Sequence, residues 1–212
     1  PVLRYLSETY QLMGNNEDWL YPDTYLWFYP SQAGKYGRMY IKCVYPLPSD
    51  PDYISSFAGL NDQGLCFDVF LHPYLLPVNS SNKPVFNGDL MAYCLGVCST
   101  VDEVLVLFDQ YNLEFMEDIQ YFVVDASGNS VIIEGDHIIS KQGSFQVVTN
   151  FLQSNPGQGW YPCWRYETAV SMLENMSKLS VEHFRNICAA THQEGMYPTI
   201  YSYVFDLNAG LI

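Results

Sequence analysis

Gly14-Asn15-Asn16-Glu17-Asp18-Trp19, near the start of the chain, is the stretch from which the fold can be read. Val2–Leu6 and Tyr10–Met13 before it read as two short strands joined by a polar turn at Ser7-Glu8-Thr9. After it, Tyr21-Pro22-Asp23-Thr24 reads as a turn and Tyr25–Tyr29 as another strand. The stretch itself is expected to be a polar, acidic loop leaving a hairpin rooted in the core. A carboxylate there is either solvated turn chemistry, for which Asn and Asp are ordinary residues, or a positioned functional group.

The remaining chain alternates blocks of strands and helices. Met39–Tyr45, Tyr53–Leu60 and Leu65–Leu71 read as strands, the last two joined by the hairpin signal Asn61-Asp62-Gln63-Gly64. Asn87-Gly88-Asp89 starts a helix to about Cys98, and the capping-box pattern Thr100-Val101-Asp102-Glu103 opens a second to about Tyr111. Ile119–Asp125, Ser130–Glu134, His137–Ser140 and Phe145–Thr149 read as an antiparallel meander. Tyr166–Met176 is amphipathic, Ser180 caps a helix over Val181–Thr191, and Tyr201–Leu207 is a strand that turns at Asn208-Ala209-Gly210 into a last one. This order predicts an α+β fold, two antiparallel sheets covered by helix pairs, as one domain over 1–212. The element order also predicts further residues beyond the carboxyl end.

With 23 acidic and 9 basic residues, the formal charge is −14. That argues against nucleic acid and anionic membrane as partners. No run of about 18 apolar residues is present to span a bilayer. The acidic charge, the few lysines and the acceptor sequons at Asn79 and Asn175 point to an extracellular or other extracytoplasmic setting. The six cysteines are too scattered for a disulfide scaffold, and Cys94 and Cys98, four apart on a helix, read as buried small hydrophobes. No phosphate loop, dinucleotide fingerprint, metal-binding His helix or serine elbow occurs, so neither a metal nor a cofactor is expected. A homo-oligomer stays open.

The polar groups at predicted strand ends are Asp18, Asn61, Asn150 and Arg165. Asn150 ends the apolar run Val147-Val148-Thr149, where its amide can donate to a developing oxyanion or simply complete a turn. Arg165 follows the aromatic entry Trp160-Tyr161-Pro162-Cys163-Trp164 and can bind a carboxylate, hold Asp18, or stack on Trp at the surface.

In order along the chain, Gly-Asn-Asn-Glu-Asp-Trp at 14–19, Gly-Leu-Asn-Asp-Gln-Gly-Leu at 59–65, Val-Val-Thr-Asn at 147–150, Arg165 and Tyr-Ser-Tyr-Val-Phe-Asp-Leu at 201–207 resemble a known family. It comprises the linear-amide C–N hydrolases related to penicillin V acylase, bile-salt hydrolase and the isopenicillin-N acyltransferase-like proteins. Val131-Ile132-Ile133-Glu134 and Ala190–Gly195 add to the likeness, which covers essentially the whole chain.

The resemblance implies an N-terminal-nucleophile hydrolase with an αββα sandwich, acting on a small amide substrate with an apolar acyl group. It further implies an amino-terminal Cys whose thiol is the nucleophile and whose α-amine is the base. By position, Asp18 matches the Asp holding that amine and thiol, Asn150 the oxyanion-hole Asn, and Arg165 the Arg organising the nucleophile's surroundings. Asn15 stands where relatives carry Arg, and the second oxyanion donor falls near Leu71 or His72. Trp19, Tyr74 and Trp164 are candidate walls of an acyl pocket. Spacing to Asp18 puts the Cys at or just before residue 1, where Pro1 stands. Three readings remain: the Cys lies upstream of the chain, the protein is an inactive relative serving as a binding or structural subunit, or Pro1 is itself the catalytic amine.

Overall fold

In the computed structural model, which describes residues 2–6, 11–44, 54–73, 82–157 and 160–212, the polar stretch is not a loop. It forms the second half of strand β2 (Gln11–Asp18), buried from Gln11 through Glu17. The expectation of a loop fails because tertiary partners satisfy the polar side chains. Asn16 Nδ2 donates to the Cys188 carbonyl at 2.8 Å and to Thr191 Oγ1 at 3.3 Å, and its Oδ1 accepts from the Ser202 hydroxyl at 2.7 Å. A buried amide with three partners no longer favours a turn.

Two sheets form among the described residues. The first has the order β10 (Phe145–Val148), β1 (Val2–Leu6), β2, β11 (Thr199–Asp206). The second runs β3 (Thr24–Tyr29), β4 (Arg38–Val44), β5 (Ile54–Asn61), β6 (Cys66–Leu71), β7 (Ile119–Val124), β8 (Ser130–Glu134), β9 (His137–Ser140). All neighbouring strands are antiparallel. The meander ends at β9: β10 leaves it and pairs with β1, because Val147 and Val148 bury opposite faces and need a layer on each side. The last expected strand shrinks to one bridge between Asp206 and Leu211. The turn at 7–9 and the ends of three predicted strands, at Tyr10, Tyr45 and Tyr53, lie outside the described residues.

Helices α1 (Leu90–Val97) and α2 (Val101–Phe108) cover the outer face of the seven-stranded sheet. Helices α3 (Trp164–Glu174) and α4 (Val181–Ala190) cover the other sheet through Leu12, Val147, Ala169 and Phe184. The predicted caps at Asp89, Thr100 and Ser180 form, the second with its reciprocal Glu103 contact. Gly14 lets α4 pack close: a Cβ there would stand 2.9 Å from the Phe184 ring. Asn61, a candidate site residue by position, is structural instead. Its Oδ1 accepts from the Gln63 and Leu65 N–H groups, and its Nδ2 donates to the Leu95 and Cys98 carbonyls. The result is the αββα sandwich.

Between the sheets, apolar side chains such as Met13, Phe122 and Phe205 surround two buried carboxyls, Glu17 and Asp68. The Tyr203 hydroxyl donates to Asp68 Oδ2. Desolvation pushes the Asp68 carboxyl up to about 7; burial, then the repulsion of Asp68, pushes Glu17 up as well. An unfolded Asp titrates near 4, so the folded state keeps its proton longer, and stability is lost as pH rises from about 4 to about 7. Asp68→Asn, which never ionises, is expected to be more stable than the parent by about 1–3 kcal/mol above pH 7 and to lose that advantage near pH 4. Thermal unfolding of both proteins across that range is the check; parallel pH profiles would contradict it.

Candidate functional site

Asp18 is the last residue of β2, opposite Thr199 of β11. The Thr199 hydroxyl donates to Asp18 Oδ1 at 2.5 Å. The other oxygen, Oδ2, accepts from Arg165 Nη1 at 2.5 Å. Arg165 is brought there by the start of α3: Cys163 is extended at the N-cap, and the helix begins at Trp164. The two side chains are only 12 % and 10 % exposed, so this ion pair is largely withdrawn from water. Removing one partner of such a pair leaves the other charge uncompensated, at a cost of about 3–5 kcal/mol when burial is complete.

The array continues into the other sheet. Arg165 Nη2 donates to Asn150 Oδ1 at 3.0 Å, and Asn150 Nδ2 donates to the Leu71 carbonyl at 2.8 Å. A guanidinium can only donate, so Arg165 fixes the Asn150 amide with oxygen towards itself and nitrogen towards Leu71. The backbone around Asn150 is held as well. Gln120 Nε2, from β7, donates to the carbonyls of Thr149 at 2.8 Å and Phe151 at 3.3 Å. Buried Glu134, from β8, accepts from the N–H groups of Gln153 at 2.6 Å and Ser154 at 3.0 Å. Asn150 thus sits on a segment anchored at both ends, and one of its two amide N–H bonds remains beyond the bond to Leu71.

Strand β1 starts inside this frame. Val2 is opposite Val148, the last residue of β10, and Leu3 is opposite Gly14 of β2. The entry to β1 therefore lies between the end of β2, which carries Asp18, and the end of β10, which leads into Asn150. Asp18, Asn150 and Arg165, far apart in sequence, form one hydrogen-bonded array, and Leu71 joins it through its carbonyl.

The remaining candidates stand apart from this array. Asn15 is buried opposite Tyr203, and its Oδ1 has no hydrogen-bond partner. The Trp19 ring is packed edge-on against Phe57, with a centroid distance of 5.1 Å, beside Cys43. His72 is buried, its backbone N–H bonded to the Asp118 carbonyl at 3.0 Å. Trp164 is 51 % exposed, next to Arg165 in sequence. Tyr74 and Pro1 lie outside the described residues.

Two residues were not read from the sequence. Thr199 carried no signal, because its role follows from the β2–β11 register alone. Cys163 was visible as the neighbour but one of Arg165. Burial pushes its thiol up, but the Tyr166 N–H and the Arg165 charge pull the other way, and the balance holds it below the ordinary thiol range. A cavity of about 430 Å³ adjoins the array at Thr199, lined also by Arg185, Cys188, His192, Tyr201 and Ser202. Among the described residues, no group of three or more His, Cys, Asp or Glu is placed to hold a metal ion. No helix among them is long and apolar enough to cross a membrane.

No protein-family model matches the chain, and no curated protein matches it in sequence. Solved structures do match. A variant of conjugated bile acid hydrolase from Clostridium perfringens superposes with a TM-score of 0.70 at 15 % identity, over 98 % of this chain and 86 % of that one. A second mutant of that hydrolase gives 0.72 at 14 %, with the same coverage. Penicillin V acylase from Agrobacterium tumefaciens gives 0.71 at 17 %, over 98 % of this chain and 80 % of that one. At such identities the likeness is one of fold: the chain shares its αββα sandwich with a conjugated bile acid hydrolase and a penicillin V acylase.

Proposed function

We propose that this protein cleaves a linear, non-peptide amide C–N bond through an amino-terminal cysteine thiol at the entry to β1. The observation that carries this reading is the Asp18–Arg165–Asn150 array at the strand ends flanking that entry. The fold shared with an acylase and a bile acid hydrolase supports it.

In this mechanism the thiol proton passes to the α-amine of the same residue, and the resulting ammonium donates to Asp18. Arg165 and Thr199, which donate to its two oxygens, hold the Asp18 carboxyl in place. The thiolate attacks the amide carbonyl, and the free N–H of Asn150 donates to the oxyanion that forms. Collapse breaks the C–N bond, and the leaving amine takes the proton from the ammonium. Water then hydrolyses the thioester, or an acceptor amine takes the acyl group. Trp160, Tyr161 and Trp164 expose their rings on the approach to Arg165 and suit an apolar acyl group.

A second reading, a catalytically silent binding or structural protein with the same fold, draws on one fact. All six cysteines of the chain are buried, and none lies at the entry to β1. Intact mass and amino-terminal sequencing of the native protein separate the two. A cysteine immediately ahead of this chain is the expected result; a native terminus at Pro1, without turnover, would establish the silent reading.

With penicillin V and a conjugated bile acid as probe amides, Asn150→Ala is expected to lower kcat about 10²–10³-fold with little change in KM. Asp18→Asn keeps the side-chain shape but removes the charge, and should lower kcat/KM by about 10²–10⁴-fold. Circular dichroism checks that both variants are folded. Full activity in folded Asp18→Asn protein would sink the mechanism.

A further inference from the structure

Three of the nine basic residues, Lys35, Arg38 and Lys42, line one groove on the outer face of the seven-stranded sheet. None of the three forms an ion pair among the described residues, although the chain carries 23 acidic side chains. In a protein with surplus carboxylates, three cations gathered around a single carboxylate, Asp89, with no ion pair formed among the described residues, need an explanation.

The local structure follows from the β3–β4 register. Tyr25 stands opposite Lys42, Trp27 opposite Tyr40 and Tyr29 opposite Arg38. Strand alternation therefore puts aromatic rings and cations on one face, while Met39, Ile41 and Cys43 point into the interior. Lys42 Nζ lies 4.5 Å from the Trp27 ring centroid and 5.4 Å from that of Tyr40; Arg38 Cζ lies 4.9 Å from that of Tyr29. Packing alone accounts for Arg38, whose Nε donates to the Tyr40 hydroxyl and Nη1 to the Tyr36 carbonyl. It leaves the ammonium groups of Lys35 and Lys42 without a hydrogen-bonded partner among the described residues.

Facing this ladder are Phe86, Asn87 and Asp89 ahead of α1, and Tyr93 within it, enclosing a groove of about 480 Å³. That volume falls within the range of small-molecule sites, about 300–1,000 Å³. Its lining has three kinds of group. The ammoniums attract an oxyanion. Ser56, Asn87 and Asp89 can bond hydroxyls; Asp89 commits Oδ1 to capping Ala92 and is the one carboxylate lining the groove. The rings of Tyr29, Tyr40, Phe86 and Tyr93 offer apolar walls to the C–H bonds of a saturated ring. The net charge of −14 repels a polyanion such as nucleic acid at long range, which favours a small ligand.

We propose that this groove binds an acidic sugar, a pyranose ring bearing a carboxylate. The carboxylate is held by Lys42 and Lys35, the hydroxyls by Asp89 and Asn87, and the ring by the tyrosines. The site lies on the opposite side of the seven-stranded sheet from the core shared with Asp18's strand, and does not depend on the amidase reading.

Titration calorimetry of the full chain with D-glucuronate, D-glucose and acetate tests this, alongside the Trp27 indole signal by NMR, assigned with Trp27→Phe. Glucuronate is expected to bind at least about ten-fold more tightly than either glucose or acetate and to shift the Trp27 signal. Lys42→Gln should weaken glucuronate at least about ten-fold, and added salt should weaken it too. Acetate binding as well as glucuronate would overturn the sugar assignment, and glucose doing so would overturn the role of the cations. No glucuronate binding, or binding unchanged in Lys42→Gln, would overturn the site.

Discussion

The structure depends on making a buried strand out of polar residues. Between Gln11 and Asp18, β2 takes two asparagines and a glutamate into the interior. A strand with such side chains can be buried only if each layer around it supplies partners. Helix α4 and β11 do so for Asn16, and β11 and α3 for Asp18. The requirement is met unevenly. One oxygen each of Asn15, Glu17 and Asp68 has no hydrogen bond, and burial drives both acids towards their neutral forms. The interior near the site thus holds its protons by desolvation rather than by neutralising them with cations.

Arg165 plays the complementary part. It supplies the cation that faces Asp18 in a nearly dry position, and it passes the connection through Asn150 to Leu71 at the end of β6. Three elements from two different sheets and one helix are locked at one corner of the sandwich. Gln120 and Glu134, both from the seven-stranded sheet, clamp the backbone on either side of Asn150. Such support from rigid strands is what an oxyanion donor requires, since its value lies in being placed before charge develops. The same corner explains why Thr199, which bonds Asp18, matters although it is not conspicuous in the chain.

Charge is distributed with similar economy. Of the nine basic residues, one is committed to Asp18 and one to an exposed pair between Lys83 and Asp109. An exposed pair of that kind contributes at most about 1 kcal/mol. Lys35 and the β4 residues Arg38 and Lys42 are spent on neither purpose, and Arg38 and Lys42 flank Tyr40 on one face of β4, opposite the rings of β3. The two faces of β4 therefore differ in character: Met39, Ile41 and Cys43 are apolar and buried between the sheets, while Arg38 and Lys42 flank the buried Tyr40 on the side of α1.

The sequence by itself determined the α+β class, the two helix pairs with their caps, the Asn61–Gly64 hairpin and the identity of Asp18, Asn150 and Arg165 as candidates. The class, helices and hairpin rest on local rules, namely capping geometry, alternation within a strand and turn residues, whereas the three site candidates were set apart from Asn61 by the family resemblance. Tertiary structure alone decided that Asn15–Asp18 is strand rather than loop, since the side chains that satisfy Asn16 come from Cys188, Thr191 and Ser202. It also moved β10 out of the meander and into the other sheet, a choice no turn signal encodes, because it follows from which layer buries Val147 and which buries Val148. The Arg165–Asn150–Leu71 connection is of the same kind. A hydrogen bond between groups 15 and 79 residues apart exists only once the sheets have packed, so composition and periodicity, which are local, carry no trace of it.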